Sequence, residues 1–160
     1  MLEVFSGSGH LTVSVRRAHP GACLPGVDLY EGPLKIDLTD SNAAEGMLHF
    51  LECGVVKYVH FGTPCASFSS ALRGAARVRS AAHPAGDEEI PKCRTGNLLA
   101  HFTSSAVRVL HGASCAWSIE NPLTSLIWRF FLSEAPLPPH CRVRVDQCQY
   151  GLMIPGEGLA

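Results

Sequence analysis

Short apolar runs alternate with amphipathic stretches along this chain, and nearly every run stops at a glycine, an acid or a cysteine. Residues 2–5 (LEVF) read as a buried strand that breaks at Ser6-Gly7-Ser8-Gly9. Leu11, Val13 and Val15, followed by Arg16 and Arg17, then predict a helix over 10–19. Residues 24–28 and 34–37 predict two more short strands, ending on Asp28 and Asp37. Asp40 or Ser41 can cap a helix that carries Met47, Leu48 and Leu51 on one side. The β-branched and aromatic run 55–61 (VVKYVHF) suits a central strand and leads directly into GTPCASFS. Residues 97–110 resume helical periodicity, 115–119 form a strand that ends at Glu120-Asn121-Pro122, 123–132 predict a helix and 142–146 a last strand. Residues 72–94, rich in Arg, Ala and Gly, read as a mobile loop with one weak helical turn.

Strands separated by helices dictate an α/β fold, a mostly parallel sheet covered on both faces, in which ligands lie beyond the carboxyl ends of the strands. With 160 residues, 46% hydrophobic and 17% charged, the chain supports one core and a single domain over 1–160. The formal net charge of -1 provides no global basic field, so any contact with a polyanion has to be local. Residues 72–94 hold five basic groups (Arg73, Arg77, Arg79, Lys92, Arg94) against three acids (Asp87, Glu88, Glu89), a modest excess. Seven cysteines without a CxxC pair or finger-like Cys/His spacing argue against a structural zinc site, and no metal is expected. No apolar run approaches the ~20 residues that span a bilayer, and MLEVFSGSG lacks a basic leader. The expected setting is intracellular, with reduced thiols: the nucleus in a eukaryote, the cytoplasm otherwise.

The strand-end residues suggest specific chemistry. Gly7 and Gly9 allow a tight turn and close approach of a ligand to the N–H groups opening the next helix. Thr12 stands where the dinucleotide fingerprint needs a third small residue, which disfavours NAD. Asp28, about 20 positions on, is placed to grip ribose hydroxyls, and Asp37 to accept from an adenine amino group; each also has a reading as a solvated strand-end acid, which weighs more for Asp37 than for Asp28. Cys65 follows Pro64 at a strand terminus, with Ser67 and Ser69 next, where the dipoles of a starting helix favour a thiolate. Its alternative is a buried packing thiol. Glu120 follows CAWSI, where partial desolvation suits a proton or hydrogen-bond donor; otherwise it is a first-turn helix acid before Pro122.

Taken in order, FSGSG (Phe5, Ser6, Gly7, Ser8, Gly9), Asp28, IDLTD, GTPCASFS and ENP resemble the catalytic domain of cytosine carbon-5 DNA methyltransferases over residues 2 to about 151. The resemblance implies a Rossmann-like S-adenosylmethionine-dependent methyltransferase fold. Residues 5–9 would then cradle the methionine part of the cofactor, with Asp28 on the ribose, Asp37 on the adenine amine and Leu29 against the adenine ring. Pro64 belongs to the same cofactor-facing set, as do Asn97 and Leu98 in RTGNLL. Cys65 would be the nucleophile and Glu120 its partner acid, while Ser67, Ser69 and Asn121 would hold the substrate. DNA is the implied partner, and RNA bears the same base.

The chain departs from the family pattern at Ala66, where a glutamine is usual, and at Pro122, where an apolar residue is usual. After Gln149-Tyr150-Gly151 no arginine follows, and no target-recognition domain can be read in residues 1–160, so a partner chain is one source of those elements. Two other readings stay open. One is an inactive, truncated remnant that at most binds S-adenosylmethionine, and the other is a nucleotide-binding oxidoreductase-like domain.

Overall fold

The computed structural model describes residues 1–145. The first strand, β1 (Leu2–Val4), is buried along its length and lies at the centre of a five-stranded sheet. Around it run β2 (Val27–Asp28), β3 (Leu34–Lys35), β4 (Tyr58–Phe61) and β5 (Ala116–Ile119), in the order β3-β2-β1-β4-β5. All neighbouring pairs are parallel, with Val4 beside Val27 and Phe61, and Phe61 beside Ile119. The molecule is therefore α/β with an all-parallel sheet among the described residues.

Four helices connect the strands: α1 (His10–Ala18), α2 (Ser41–Glu52), α3 (Pro91–Gly112) and α4 (Ile127–Ser133). Right-handed crossovers place α1 on one face and α2 and α3 on the other, because the chain moves leftward from β1 to β3 and then returns to β4. Period-two alternation gives the two faces opposite characters. Leu2, Val4, Val59 and Phe61 point into the main core, joined by Met47 and Leu51 of α2 and Phe102, Ala106, Val107 and Leu110 of α3. On the alternate face stand Glu3, Tyr58, His60 and Ser118. Thr12 is the buried residue of α1, and both its backbone N–H and its hydroxyl donate to Glu3 Oε2 (2.8 and 2.5 Å). Position 12 is thus occupied by a structural contact to the buried Glu3 carboxylate.

The five expected strands up to residue 119 form with shorter bounds, and the helices form with shifted ones. Asp40 caps α2, its Oδ1 accepting from Ala43 N (2.9 Å), as a cap residue should. Helix α3 begins at Pro91 rather than at 97, since proline fits the first helical turn, where its missing N–H costs nothing. Helix α4 begins at Ile127 because residues 122–125 close a turn first, with Ser125 N donating to Pro122 O (2.9 Å). Leu123 is accordingly exposed. Residues 142–145, expected in a strand, carry no regular structure, and Asp146 with Gln149-Tyr150-Gly151 lies outside the described residues.

Candidate active site at the strand carboxyl ends

The order of strands reverses between β1 and β4, and the loops leaving those two strands carry the glycine turn and Cys65. A crevice at such a reversal is where open α/β sheets bind ligands. After β1 the chain turns through three left-handed residues, Phe5 (φ 59°), Gly7 (φ 49°) and Gly9 (φ 68°). Phe5 is the costly one, of order 1–3 kcal/mol for a residue with a side chain, and its ring is held edge-on against Phe102 at 6.2 Å. Ser6 N still bonds to Val27 O (3.1 Å) and Gly9 N to Ser6 O (2.8 Å), which delivers Gly9 as the cap of α1. Ser6 is buried and Ser8 exposed on this turn.

Asp28 ties β2 to the glycine turn. Its Oδ2 accepts from Gly7 N (3.0 Å) and its Oδ1 from Tyr30 N (2.9 Å) and Glu31 N (3.3 Å). Partial burial alone would raise this carboxyl group, but the backbone donors, Tyr30 foremost, outweigh it and hold Asp28 below its ordinary value. The bonds to Tyr30 N and Glu31 N form a local turn that strand-end aspartates commonly make, while the bond to Gly7 N spans 21 residues. Leu29 beside it is 38% exposed. Asp37 is different: it is exposed, and its Oδ1 accepts from Thr39 Oγ1 (2.6 Å) and Thr39 N (2.9 Å), bonds that lower it in that order of importance.

The Cys65 loop abuts the same turn. Gly62 N donates to Val4 O (3.0 Å), and a Cβ at position 62 would stand 2.9 Å from Phe5 O, so the backbones of the two loops meet with no room between them. Pro64 is exposed and Cys65 half-buried, at the head of a 3-10 turn (Ala66–Phe68) that Phe68 N closes on Cys65 O (2.9 Å). Ser69 follows, half-buried, its Oγ accepting from Ala71 N (3.3 Å).

From the other side β5 closes the rim. Glu120 N donates to Phe61 O (2.9 Å), and Asn121 Nδ2 donates to Thr63 O (2.7 Å). A carbonyl can only accept, so this contact fixes the amide orientation and leaves Asn121 Oδ1 buried without a hydrogen-bond partner. The glycine turn, Asp28, Cys65, Glu120 and Asn121 are thus brought to one rim. Glu120 itself is exposed, not partly desolvated as its sequence context predicts, because β5 ends at Ile119 and the chain leaves the sheet there. Nor is it a first-turn helix acid, with α4 starting only at Ile127.

Three predicted residues lie apart from the rim. Asn97 and Ser67 are buried in a knot around Arg79, whose guanidinium donates to Asn97 Oδ1 (2.6 Å) and Ser67 Oγ (3.0 Å). Asn97 Nδ2 donates to Ala85 O and Glu88 Oε1, so every polar atom of that side chain is engaged. Leu98, the next residue on α3, is 45% exposed. Arg79 itself was hidden in an arginine-rich loop, and no local pattern marks one arginine there as buried.

His60 is a second residue that sequence patterning passes over. It stands between Glu3 of β1 and Ser118 of β5, and its Nδ1 is 2.8 Å from Ser118 Oγ, which in turn meets Tyr58 OH at 2.6 Å. Burial lowers its pKa, against the pull of the Glu3 and Glu120 carboxylates. Among the described residues no group of three or more His, Cys, Asp or Glu side chains could hold a metal ion, and no helix is long and apolar enough to cross a membrane. Comparisons with family models, curated proteins and solved structures find no match to this chain.

Proposed function

We propose that the chain is a Rossmann-like S-adenosylmethionine-dependent methyltransferase domain that acts on carbon-5 of cytosine in DNA through a covalent Cys65 adduct. The stitch between the two strand ends supports this reading: Asn121 Nδ2 on Thr63 O and Glu120 N on Phe61 O join the backbone segments that carry Cys65 and Glu120. The cofactor's requirements fit the residues present. Nothing stands within 4 Å of where side chains at Gly7 and Gly9 would begin, so a ligand can lie against the turn. Thr12 N already serves Glu3 Oε2, which leaves the N–H groups of His10 and Leu11 at the start of α1 for a carboxylate. Asp28, with three of its about four acceptor sites used, keeps one for a ribose hydroxyl. From β3 to β4 is three strand spacings, about 14 Å, a distance suited to an extended nucleoside with its adenine towards Asp37. When bound, S-adenosylmethionine supplies an electrophilic methyl group.

Cys65, as the thiolate, forms a bond to carbon-6 of the cytosine ring, while Glu120 in its acid form donates to the ring nitrogen so that the electron pair settles on carbon-5. Once carbon-5 carried a methyl group from bound S-adenosylmethionine, the ring nitrogen would return its proton to the Glu120 carboxylate and water would take the carbon-5 proton. The electrons of that C–H bond would restore the ring double bond as the Cys65 sulfur leaves with its own pair. Glu120 also engages the exocyclic amine, and Asn121, its Nδ2 on Thr63 O, helps hold that region. Since carbon-6 is hidden in a base stack, the cytosine must be extruded or unpaired, in DNA or in RNA.

One observation favours a second reading. Glu120 is exposed, so water competes with a base for its carboxyl group, as expected of a remnant that binds cofactor without transferring. Calorimetric titration with S-adenosylmethionine, alongside transfer of labelled methyl groups to DNA and to transfer RNA, separates the two. Binding with transfer supports the enzyme, binding alone the remnant, and tight NADH binding without affinity for S-adenosylmethionine defeats both.

A further inference from the structure

Arg79 is 4% exposed, and it sits fourteen residues beyond the candidate nucleophile in a loop without regular structure. Its Nη1 donates to Pro84 O (2.8 Å), Ala85 O (2.6 Å) and Asn97 Oδ1 (2.6 Å), and its Nη2 to Cys93 O (2.9 Å) and Ser67 Oγ (3.0 Å). The guanidinium lies over the Phe68 ring at 3.8 Å. One side chain therefore bonds to three pieces at once: the Cys65 turn through Ser67 and Phe68, the backbone at 84–85, and the opening turns of α3.

The packing admits little else. A side chain at Gly96 would run into Ser67 Oγ and stand 2.8 Å from Arg79 Nη2, and Phe68 is fully buried against Phe130 (5.5 Å). Among the described residues no carboxylate lies within ion-pair distance of Arg79. Glu88 acts on it through space, and is joined to it by hydrogen bonds through Asn97, which donates to Glu88 Oε1 (2.9 Å). A buried cation held by neutral acceptors is costly compared with an apolar residue of similar size, so simple loop closure does not account for it. What it provides is a fixed fork of donors, two of whose targets flank the Cys65 turn and α3.

Resting on the methyltransferase reading of Cys65, we infer that Arg79 is the positioning residue of the nucleophile. It clamps Ser67 and Phe68, two and three residues past the thiol, onto α3, and so sets the direction from which the sulfur meets its target. Productive attack demands placement to well under 1 Å, which a turn of three residues cannot secure alone.

The test compares the wild-type chain with Arg79→Lys, which keeps the charge but loses the fork, and with Arg79→Met, which keeps the volume. Iodoacetamide alkylation of Cys65, followed by peptide mass mapping, reports the freedom of the turn. Buried Cys115 in the same samples reports whether the fold is intact. With Cys115 still protected, Cys65 alkylation is expected to rise about fivefold in Arg79→Met, the equivalent of about 1 kcal/mol of lost anchoring, and by an intermediate amount in Arg79→Lys. Adduct formation on a 5-fluorocytosine oligonucleotide should fall about tenfold or more. A folded Arg79→Met chain with unchanged Cys65 alkylation overturns the inference. If that variant fails to fold, Ser67→Ala decides, because it removes only the bond to the Cys65 turn: faster alkylation supports the clamp and an unchanged rate refutes it. A wild type that never forms the adduct defeats the methyltransferase reading, yet the alkylation rates still judge the clamp.

Discussion

Replacing Asn121 probes the join between the loops that carry Cys65 and Glu120. Its Nδ2 donates to Thr63 O at 2.7 Å, across the gap between β4 and β5, and Thr63 is 2% exposed, so water cannot readily take over as donor. Asn121→Ala forfeits that bond and strands a buried carbonyl, a loss of about 1–3 kcal/mol. Removal of the partnerless Oδ1 offsets part of it, so about 1–2 kcal/mol is expected. Asn121→Asp has nearly the same shape but sets a carboxylate oxygen against the Thr63 carbonyl, and should cost more than the alanine. In a chain of this size each 1 kcal/mol lowers the melting temperature by roughly 2–4 °C. Thermal unfolding of the two variants should therefore fall in the order wild type, alanine, aspartate. S-adenosylmethionine affinity should hold in both, because the hydrogen bonds of Asp28 run to Gly7, Tyr30 and Glu31 and not to Asn121. An aspartate variant as stable as the alanine variant would show that the amide does not face Thr63, and the join would have to be abandoned.

Other expectations concern charge and thiols. His60 has its folded pKa lowered by burial, so it contributes stability that is complete above the ordinary value of about 6.5 and is lost as pH falls through the lowered folded value. His60→Gln should flatten the urea-stability profile below that pH; an identical slope in the variant would contradict it. Asp28→Asn exchanges one acceptor oxygen for a donor that must face Gly7 N or the Tyr30 and Glu31 amides, and should weaken S-adenosylmethionine binding about tenfold or more by calorimetry. Unchanged affinity would remove Asp28 from the cofactor site. Burial raises the Cys115 thiol, which also donates to Val56 O (3.1 Å), so in the native chain at neutral pH alkylation should reach Cys65 long before Cys115; the reverse order would displace Cys65 from the rim.

Much of this layout is legible in the sequence because its signals are local. The apolar runs mark β1 to β5, and the residue ending each run lands at a strand's carboxyl end, which is how Gly7, Asp28, Cys65 and Glu120 become visible. What stays hidden depends on contacts between distant segments. Pro91 reads as punctuation until its place in the first turn of α3 is seen. Leu98 and Asn97 share a motif, yet helical geometry sends one to solvent and the other to Arg79. The exposure of Glu120 follows from where β5 stops, a boundary that the apolar run CAWSI does not encode.

The most direct measurement is mass spectrometry of the chain after incubation with S-adenosylmethionine and an oligonucleotide containing 5-fluorocytosine, whose fluorine blocks the final loss of a proton from carbon-5. A covalent complex that requires the cofactor, maps to the peptide carrying Cys65 and disappears in Cys65→Ser but not in Cys115→Ser is the predicted result. A wild-type chain that binds S-adenosylmethionine yet yields no adduct at any cysteine, or an adduct that survives Cys65→Ser, would contradict it.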